Sequence, residues 1–221
     1  MTRPRLLDLF CCAGGAATGY ARAGFEVVGV DIKPQPRYPF EFHQADALTF
    51  SLDGFDAIHA SPPCQPFSKS VKKIHRPRHL DAIVATRELL VGSGLPYVIE
   101  NVPGAPLLNP FQICGSALAL RVFRHRLFES NVPIMGLACV HGWMPREFAP
   151  AWNRTTLLRV LSISGGYQKG HATLDEHKAA MGVDWLVTSG ELSEMVPPAY
   201  TEYIGAQLLA HLARDRSTSV L

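Results

Sequence analysis

Arg5-Leu6-Leu7-Asp8-Leu9-Phe10, running into Cys11-Cys12-Ala13-Gly14-Gly15, decides the fold of this chain. The first six residues read as a buried parallel strand, and the glycines turn it into a helix that continues to about Ala23. Gly24-Phe25-Glu26-Val27-Val28-Gly29-Val30-Asp31 is the next strand and ends in an acid. Strand, turn, helix and strand in about 30 residues make a βαβ unit. The expected class is therefore α/β, with a mostly parallel, doubly wound, Rossmann-like sheet.

Outward from that unit, Phe40 to Asp46 is a third extended segment, also ending in an acid, after a Pro-rich loop from Pro34 to Pro39. Phe55–Ala60 and Tyr97–Glu100 read as further strands, with a helix from about Leu80 to Val91 between them. From Ser130 to about Gly170 the pattern weakens into scattered Trp, Pro and Gly, including Gly165-Gly166-Tyr167. Regular structure is expected again over Thr173–Met181 and in a final helix over Pro197–Leu212. The expected organisation is a core over 1–129, a small irregular insertion over 130–172 and a return to the core over 173–221.

The length of 221 residues suits one domain with a small appendage. A formal charge of +2 permits a nucleic-acid partner without arguing for one, because local clustering matters more than the sum. Five irregularly spaced cysteines do not form a disulfide framework. No apolar run is long enough to span a bilayer, and nothing ahead of Arg3 and Arg5 reads as a signal peptide. The expectation is a cytoplasmic protein without a membrane partner.

The Gly-rich turn presents backbone N–H groups and a helix N-terminus at the carboxyl end of the first strand, a site for an anionic group. It lacks the Gly-x-Gly-x-x-Gly spacing, which disfavours NAD. Asp31 is placed to accept hydrogen bonds from ribose hydroxyls, and Asp46 could serve an adenine amino group. A nucleoside with a carboxylate tail and no phosphate fits this set, namely S-adenosylmethionine. A plain Rossmann turn with two surface acids is the blander alternative.

The second informative stretch is Ser61-Pro62-Pro63-Cys64-Gln65, directly after an apolar strand. A thiol held by two prolines at a strand end suits a rigid nucleophile, although free Cys is also among the most buried residue types. Lys69, Lys72, Lys73, Arg76 and Arg78 follow without an acid, and such positive charge would lower the thiol pKa. That stretch could equally be a solvated loop. Glu100, in Glu100-Asn101-Val102, ends a neighbouring strand on the same sheet edge, though it could merely cap the following turn. Cysteine plus carboxylate without a base on the Cys is not protease logic. It suits attack on an electron-poor ring carbon while the acid holds a ring nitrogen.

Taken in order, Asp8-Leu9-Phe10-Cys11-Cys12-Ala13-Gly14-Gly15, Pro63-Cys64-Gln65, Glu100-Asn101-Val102 and Arg124-His125-Arg126 resemble motifs of the cytosine-C5 DNA methyltransferases. Val196-Pro197-Pro198-Ala199-Tyr200 looks like the last motif of that family, and Thr173-Leu174-Asp175-Glu176 is a weaker echo of the one before it. The resemblance implies a class I methyltransferase that moves a methyl group from S-adenosylmethionine to cytosine C5 in double-stranded DNA, leaving S-adenosylhomocysteine. It implies a covalent bond from Cys64 to C6 of a flipped base, with Glu100 on N3 and the exocyclic amine, Arg126 on O2, and Arg124 holding the base and thiolate. It places the cofactor on Asp8, Phe10, Cys11, Cys12, Ala13, Gly14, Gly15, Asp31, Ile32, Asp46, Ala47, Pro63, Glu194 and Val196. Phe10 would pack on the adenine, with a core role as its rival. Gln65, Ser68, Lys69, Asn101 and Arg154 would serve the substrate, Asn101 by buttressing the turn that carries Glu100 and Cys64.

The chain also departs from the family pattern. Cys12 stands where Gly is usual, so its side chain would crowd the cofactor tail unless φ stays negative. Val122 replaces a frequent Gln ahead of the arginine pair, and Ser193-Glu194 replaces Gly-Asn. The segment that reads target sequence in relatives is very short here, like that of phage-borne or orphan enzymes. Trp143, Arg146, Trp152, Arg154 and Arg159 are its candidate contacts, and so few imply a short or relaxed target. Cys139 and His141, with Cys114, could suggest zinc, but their spacing matches no standard site, and no metal is expected. A monomer is favoured. The rival readings are the same chemistry on RNA or a free cytidine nucleotide, and a non-catalytic DNA-binding relative.

Overall fold

The computed structural model describes residues 2–64, 77–141, 161, 172–185 and 187–218, with the side chains at 77–81 and 218 outside the description. Seven strands form one sheet: β1 (Arg5–Leu9), β2 (Glu26–Asp31), β3 (Glu41–Gln44), β4 (Ala57–Ala60), β5 (Tyr97–Asn101), β6 (Phe111–Ile113) and β7 (Arg126–Ser130). Their order is β3-β2-β1-β4-β5-β7-β6. The first five are parallel, and β7 runs antiparallel to both neighbours. The α/β class and mostly parallel winding are those expected from the βαβ unit.

Alternation along β1 divides the core. Leu6 faces a layer containing Val27, Ala57, Val98 and Phe128 together with Tyr20, Tyr200, Ile204 and Leu208. Leu7 and Leu9 face the opposite layer, with Val28, Val30, Ile58, Ile99, Ile83 and Leu90. The helices of the first layer are α1 (Gly15–Ala23) and α5 (Pro198–Thr218), and the second layer is covered by α2 (Pro77–Ser93). Both faces are therefore apolar, as a parallel strand requires. Helices α1 and α5 touch backbone to backbone at Gly19, where a Cβ would stand 2.0 Å from the Pro198 carbonyl oxygen. Two short helices, α3 (Leu174–Met181) and α4 (Ser189–Glu194), each begin with a capping box, from Thr173 with Glu176 and from Thr188 with Glu191.

Periodicity alone did not expose the β6–β7 pair. β6 is three residues long, and β7 carries Arg126, Glu129 and Ser130 among its five residues, so neither makes an apolar run. Tertiary contacts supply what the local signal lacks. Arg87 of α2 forms a fork with Glu129 at 2.7 and 2.8 Å, and Glu129 also accepts from Leu108 N–H at 2.7 Å. Among the described residues, no helix is long and apolar enough to cross a membrane.

Candidate active site

The sheet order reverses between β1 and β4, and in such sheets ligands sit beyond the carboxyl ends of the strands at that reversal. Register fixes who stands there. Leu9 pairs with Ala60 and Val30, and Ala60 pairs with Ile99. Phe10, Asp31, Ser61 and Glu100 consequently line one edge. The reversed strand β7 begins where its neighbours end, since Asn101 pairs with Leu127. Arg126 and Arg124 thereby reach the same edge from the opposite direction.

Glu100 is buried, and its carboxylate pairs with Arg126 Nε at 2.9 Å. Burial pushes its pKa up, against the Arg126 charge, a hydrogen bond from Ser61 and the Arg124 charge. Arg124 is also buried and donates to the Ser193 carbonyl at 2.5 Å, while the Tyr200 hydroxyl donates to the Arg124 carbonyl. The last motif thus holds the arginine pair. Asn101 is fully buried. Its amide donates to the Pro62 carbonyl at 2.9 Å, and its oxygen accepts from Val102 N–H at 2.9 Å, which ties the Glu100 turn to the Cys64 turn.

Cys64 is half-buried, within the fields of Glu100, Arg126 and Arg124. Its thiol pKa is raised, contrary to the lowering expected from nearby basic residues. Burial and the Glu100 charge outweigh the two arginines. Gln65, Ser68, Lys69, Lys72, Lys73 and Arg76, and in the later segment Trp143, Arg146, Trp152, Arg154, Arg159 and Gly165-Gly166-Tyr167, lie outside the described residues. So does the side chain of Arg78.

On the cofactor side, Gly14 is the N-cap of α1 at φ 86°, with no side-chain cap bond on the helix N-terminus. That leaves first-turn N–H groups for a carboxylate. A Cβ on Gly15 would stand 2.3 Å from the Val196 carbonyl oxygen and 2.1 Å from Met195, so only glycine lets the last motif close on this turn. Asp31 accepts from Cys12 N–H at 3.1 Å and Lys33 N–H at 2.9 Å, which leaves lone pairs for a diol. Ile32 beside it is 67% exposed, an apolar side chain of the kind a ring would cover. Asp46 is exposed and accepts from Leu48 N–H at 2.9 Å within its own turn, while Ala47 is buried. These features fit S-adenosylmethionine. Phe10 is partly buried against the Leu7–Leu9 layer. Asp8, Cys11 and Ala13 turn into the interior, so the turn offers a ligand backbone rather than these side chains. Pro63 is half-buried beside Cys64, Val196 is buried and Glu194 is exposed, with its charge felt at Cys12.

Cys12 does not keep a negative φ. It sits at φ 45° in the left-handed region, as does Phe10 at 58°. For a residue with a Cβ this costs on the order of 1–2 kcal/mol, which the surrounding contacts must offset.

Several participants gave no motif signal. Trp185 donates from its indole to the Ala13 carbonyl at 3.2 Å. Tyr38 fills the space above Gly29, where a Cβ would stand 2.2 Å from its ring, and it also lies beside Asp8. Burial and the nearby Asp31 charge hold the Asp8 carboxyl well above the ordinary range. His59 is fully buried, bonded through Nδ1 to the Tyr20 hydroxyl at 3.1 Å and through Nε2 to Ser61 Oγ at 3.0 Å. Ser61 in turn bonds Glu100, so a polar chain runs from the helix layer to the site. A histidine inside a strand reads simply as core, and only the fold reveals these partners.

Burial lowers the His59 pKa to about 3 from an ordinary 6.5. A depressed folded-state pKa means this stability is present above pH 6.5 and is lost as pH falls toward 3. His59→Gln should flatten that part of the acid limb. Urea denaturation between pH 7 and 4 should show a difference that grows downward to several kcal/mol on the order-of-magnitude scale of that shift. Equal slopes for the two proteins would remove His59 as the cause.

Residues 4–104 match the family model for C-5 cytosine-specific DNA methylase. A comparison with curated proteins gave no match. Among solved structures, a protein assigned as a DNA modification methyltransferase encoded within an E. coli prophage aligns with TM-score 0.64 and 15% identity, over 96% of this chain and 99% of that one. S. pombe Dnmt2 methyltransferase aligns with TM-score 0.63 and 14% identity, over 96% and 99%. Entamoeba histolytica methyltransferase EhMeth gives 0.58 and 13%, over 97% and 99%. At these identities the structures support the fold, that of class I methyltransferases. The matched segment contains the Gly-rich turn, Cys64, Glu100 and Asn101, and over it the chain is similar to the C-5 cytosine-specific DNA methylases, a family that draws its methyl group from S-adenosylmethionine.

Proposed function

We propose that this protein methylates cytosine C5 in double-stranded DNA through a covalent Cys64–C6 adduct on a base flipped out of the duplex. The observation that carries the reading is the convergence of Cys64, Glu100, Arg126 and Arg124 on the sheet edge that also bears the Gly-rich turn. C5 of cytosine is a weak nucleophile. The Cys64 thiol gives up its proton to solvent, and bonding of the resulting thiolate to C6 shifts the ring electron pair toward N3 and leaves C5 enamine-like. Glu100, its pKa raised by burial, supplies a proton to N3 and accepts from the exocyclic amine. Giving up that proton returns Glu100 to the charged form that Arg126 stabilises. Arg126 also faces O2, and Arg124 holds the base from the second side. The Gly14–Gly15 turn, Asp31 and Ile32 would hold S-adenosylmethionine, which would supply the electrophilic methyl group. Glu100 takes the N3 proton back, and loss of the C5 proton to solvent then breaks the C6–S bond and releases the Cys64 thiolate, which regains its proton from solvent.

In a duplex the ring face is covered by stacking, so the base must leave the helix. Residues 130–172 would form the reduced target-recognition segment between the core and residues 173–221, and their shortness favours a short or relaxed target. The protein would act as a monomer in the cytoplasm.

Nucleoside mass spectrometry on unmethylated plasmid DNA, incubated with the protein and S-adenosylmethionine, tests the reading. Transfer RNA and dCMP serve as parallel substrates. New 5-methylcytosine in plasmid is expected. Product in RNA or dCMP alone would overturn the substrate and keep the Cys64 chemistry. The strained Cys12 gives a second expectation. Cys12→Gly should lower the Kd for S-adenosylmethionine roughly tenfold, equivalent to about 1.4 kcal/mol of relieved crowding. Calorimetric titration that shows unchanged or weaker binding would mean that the thiol does not obstruct the cofactor.

A further inference from the structure

We propose that Cys114, His125, Cys139 and His141 form a structural zinc site of the Cys2His2 type. Sequence spacing argued against metal, because Cys139 and His141 flank a single residue and the other two stand far upstream. The fold removes that objection. Cys114 follows β6, His125 precedes β7, and the chain leaving β7 turns back to bring Cys139 and His141 beside them. The four ligand atoms all lie within 4.8 Å of one another. Cys114 Sγ stands 3.3 Å from His141 Nε2, and Cys139 Sγ stands 3.3 Å from His125 Nε2. Zinc bonds of about 2.3 Å to sulfur and 2.0–2.1 Å to nitrogen set tetrahedral edges at about 3.3–3.8 Å. The two S···N pairs at 3.3 Å would open slightly, and separations toward the 4.8 Å limit would close by about 1 Å, to meet them.

The surrounding donors point the same way. Ser116 Oγ donates to Cys114 Sγ at 3.3 Å, and the Gln112 amide donates to Cys139 Sγ at 3.3 Å. Each sulfur is thus an acceptor, as a metal-bound thiolate is, and such outer hydrogen bonds commonly accompany ligand sets. Ser116 Oγ also accepts from Val140 N–H at 3.2 Å, fixing the residue between Cys139 and His141. Phe123 packs on the His141 ring, with centroids 4.5 Å apart. Cys114 is buried and the other ligands lie nearer the surface, so an ion has a way in. Two sulfurs and two imidazoles in tetrahedral reach select zinc over calcium or magnesium.

Four protein ligands leave no open position, so the ion is structural and takes no part in methyl transfer. Its place gives it a consequence for the catalytic site. His125 lies between Arg124 and Arg126, so the metal would fix the entry to β7 and, through it, the guanidinium that pairs with Glu100. His141 would in the same way be tied to the end of β6.

The test begins with elemental analysis of the intact protein, purified under reducing conditions without chelator. One zinc per chain is expected, retained by Cys64→Ser and lost from Cys139→Ser combined with His141→Ala. Chelation should lower Tm by on the order of 10 °C. Cobalt titrated into the stripped, unaltered chain should give the intense ligand-field bands of a tetrahedral centre, with charge transfer from two thiolates. This readout does not depend on whether the double variant folds. Reduced protein that takes up neither zinc nor cobalt would overturn the site. So would undiminished zinc in the folded double variant, because the ion would then sit elsewhere, or octahedral cobalt spectra.

Discussion

Cys64→Ser is expected to give a folded protein that binds S-adenosylmethionine normally and transfers methyl groups at least roughly 10⁴-fold more slowly. The substitution changes one atom in a half-buried turn whose shape rests on Pro62, Pro63 and the Asn101 bond to the Pro62 carbonyl. Stability should therefore change little. Nucleophilicity should collapse, because a serine hydroxyl is far harder to ionise than a thiol whose pKa is already raised. The check is single-turnover transfer of labelled methyl to plasmid DNA, with cofactor affinity measured beside it. A duplex carrying 5-fluorocytosine should trap the native protein, since fluorine blocks loss of the C5 substituent, and should not trap the serine variant. Undiminished methylation by Cys64→Ser would eliminate the covalent mechanism.

Glu100→Gln should produce two effects of opposite sense. Methyl transfer should fall about 10²–10³-fold, because the amide cannot give N3 its proton. The Cys64 thiol should meanwhile become more reactive. The Glu100 charge is one of two causes that raise its pKa, and removing it leaves Arg126 and Arg124 acting on the sulfur. The thiolate fraction at fixed pH rises, so alkylation of Cys64, followed by peptide mass mapping against pH, should shift to lower pH. A purely structural role for Glu100 would slow transfer without that shift. Some loss of stability is also expected, since the partly buried Arg126 loses a charged partner, although the Gln oxygen can still accept its hydrogen bond.

The parallel half of the molecule could be read directly because its signals are local. A strand such as Arg5–Leu9, buried on both faces, is rich in leucine, and the turn after it needs glycine where Met195 and Val196 close on Gly15. The same locality exposed Cys64 and Glu100, each standing just beyond or at the end of an apolar run. Asn101, next to Glu100, donates to the Pro62 carbonyl.

Other features depended on groups distant in sequence. Strand β6 is only three residues long and β7 carries two charges, and they form because Glu129 finds Arg87 and because β5 offers an edge to pair with. The sign of the Cys64 pKa shift was decided by burial and by Glu100, thirty-six residues downstream in the numbering, rather than by the basic stretch beside it. His59 became the middle of a hydrogen-bonded chain only once Tyr20 and Ser61 stood on either side of it. Cys114, His125, Cys139 and His141 matched no metal spacing until the antiparallel pair folded them into one cluster. The sequence by itself determined the α/β class, the Gly-rich turn and the placing of Cys64 and Glu100 at neighbouring strand ends, because each rests on periodicity or on a few adjacent residues. Only the tertiary structure decided the charge balance at Cys64, the φ of Cys12 and the Cys2His2 cluster, because fields, strain and coordination depend on distances that close when the sheet does.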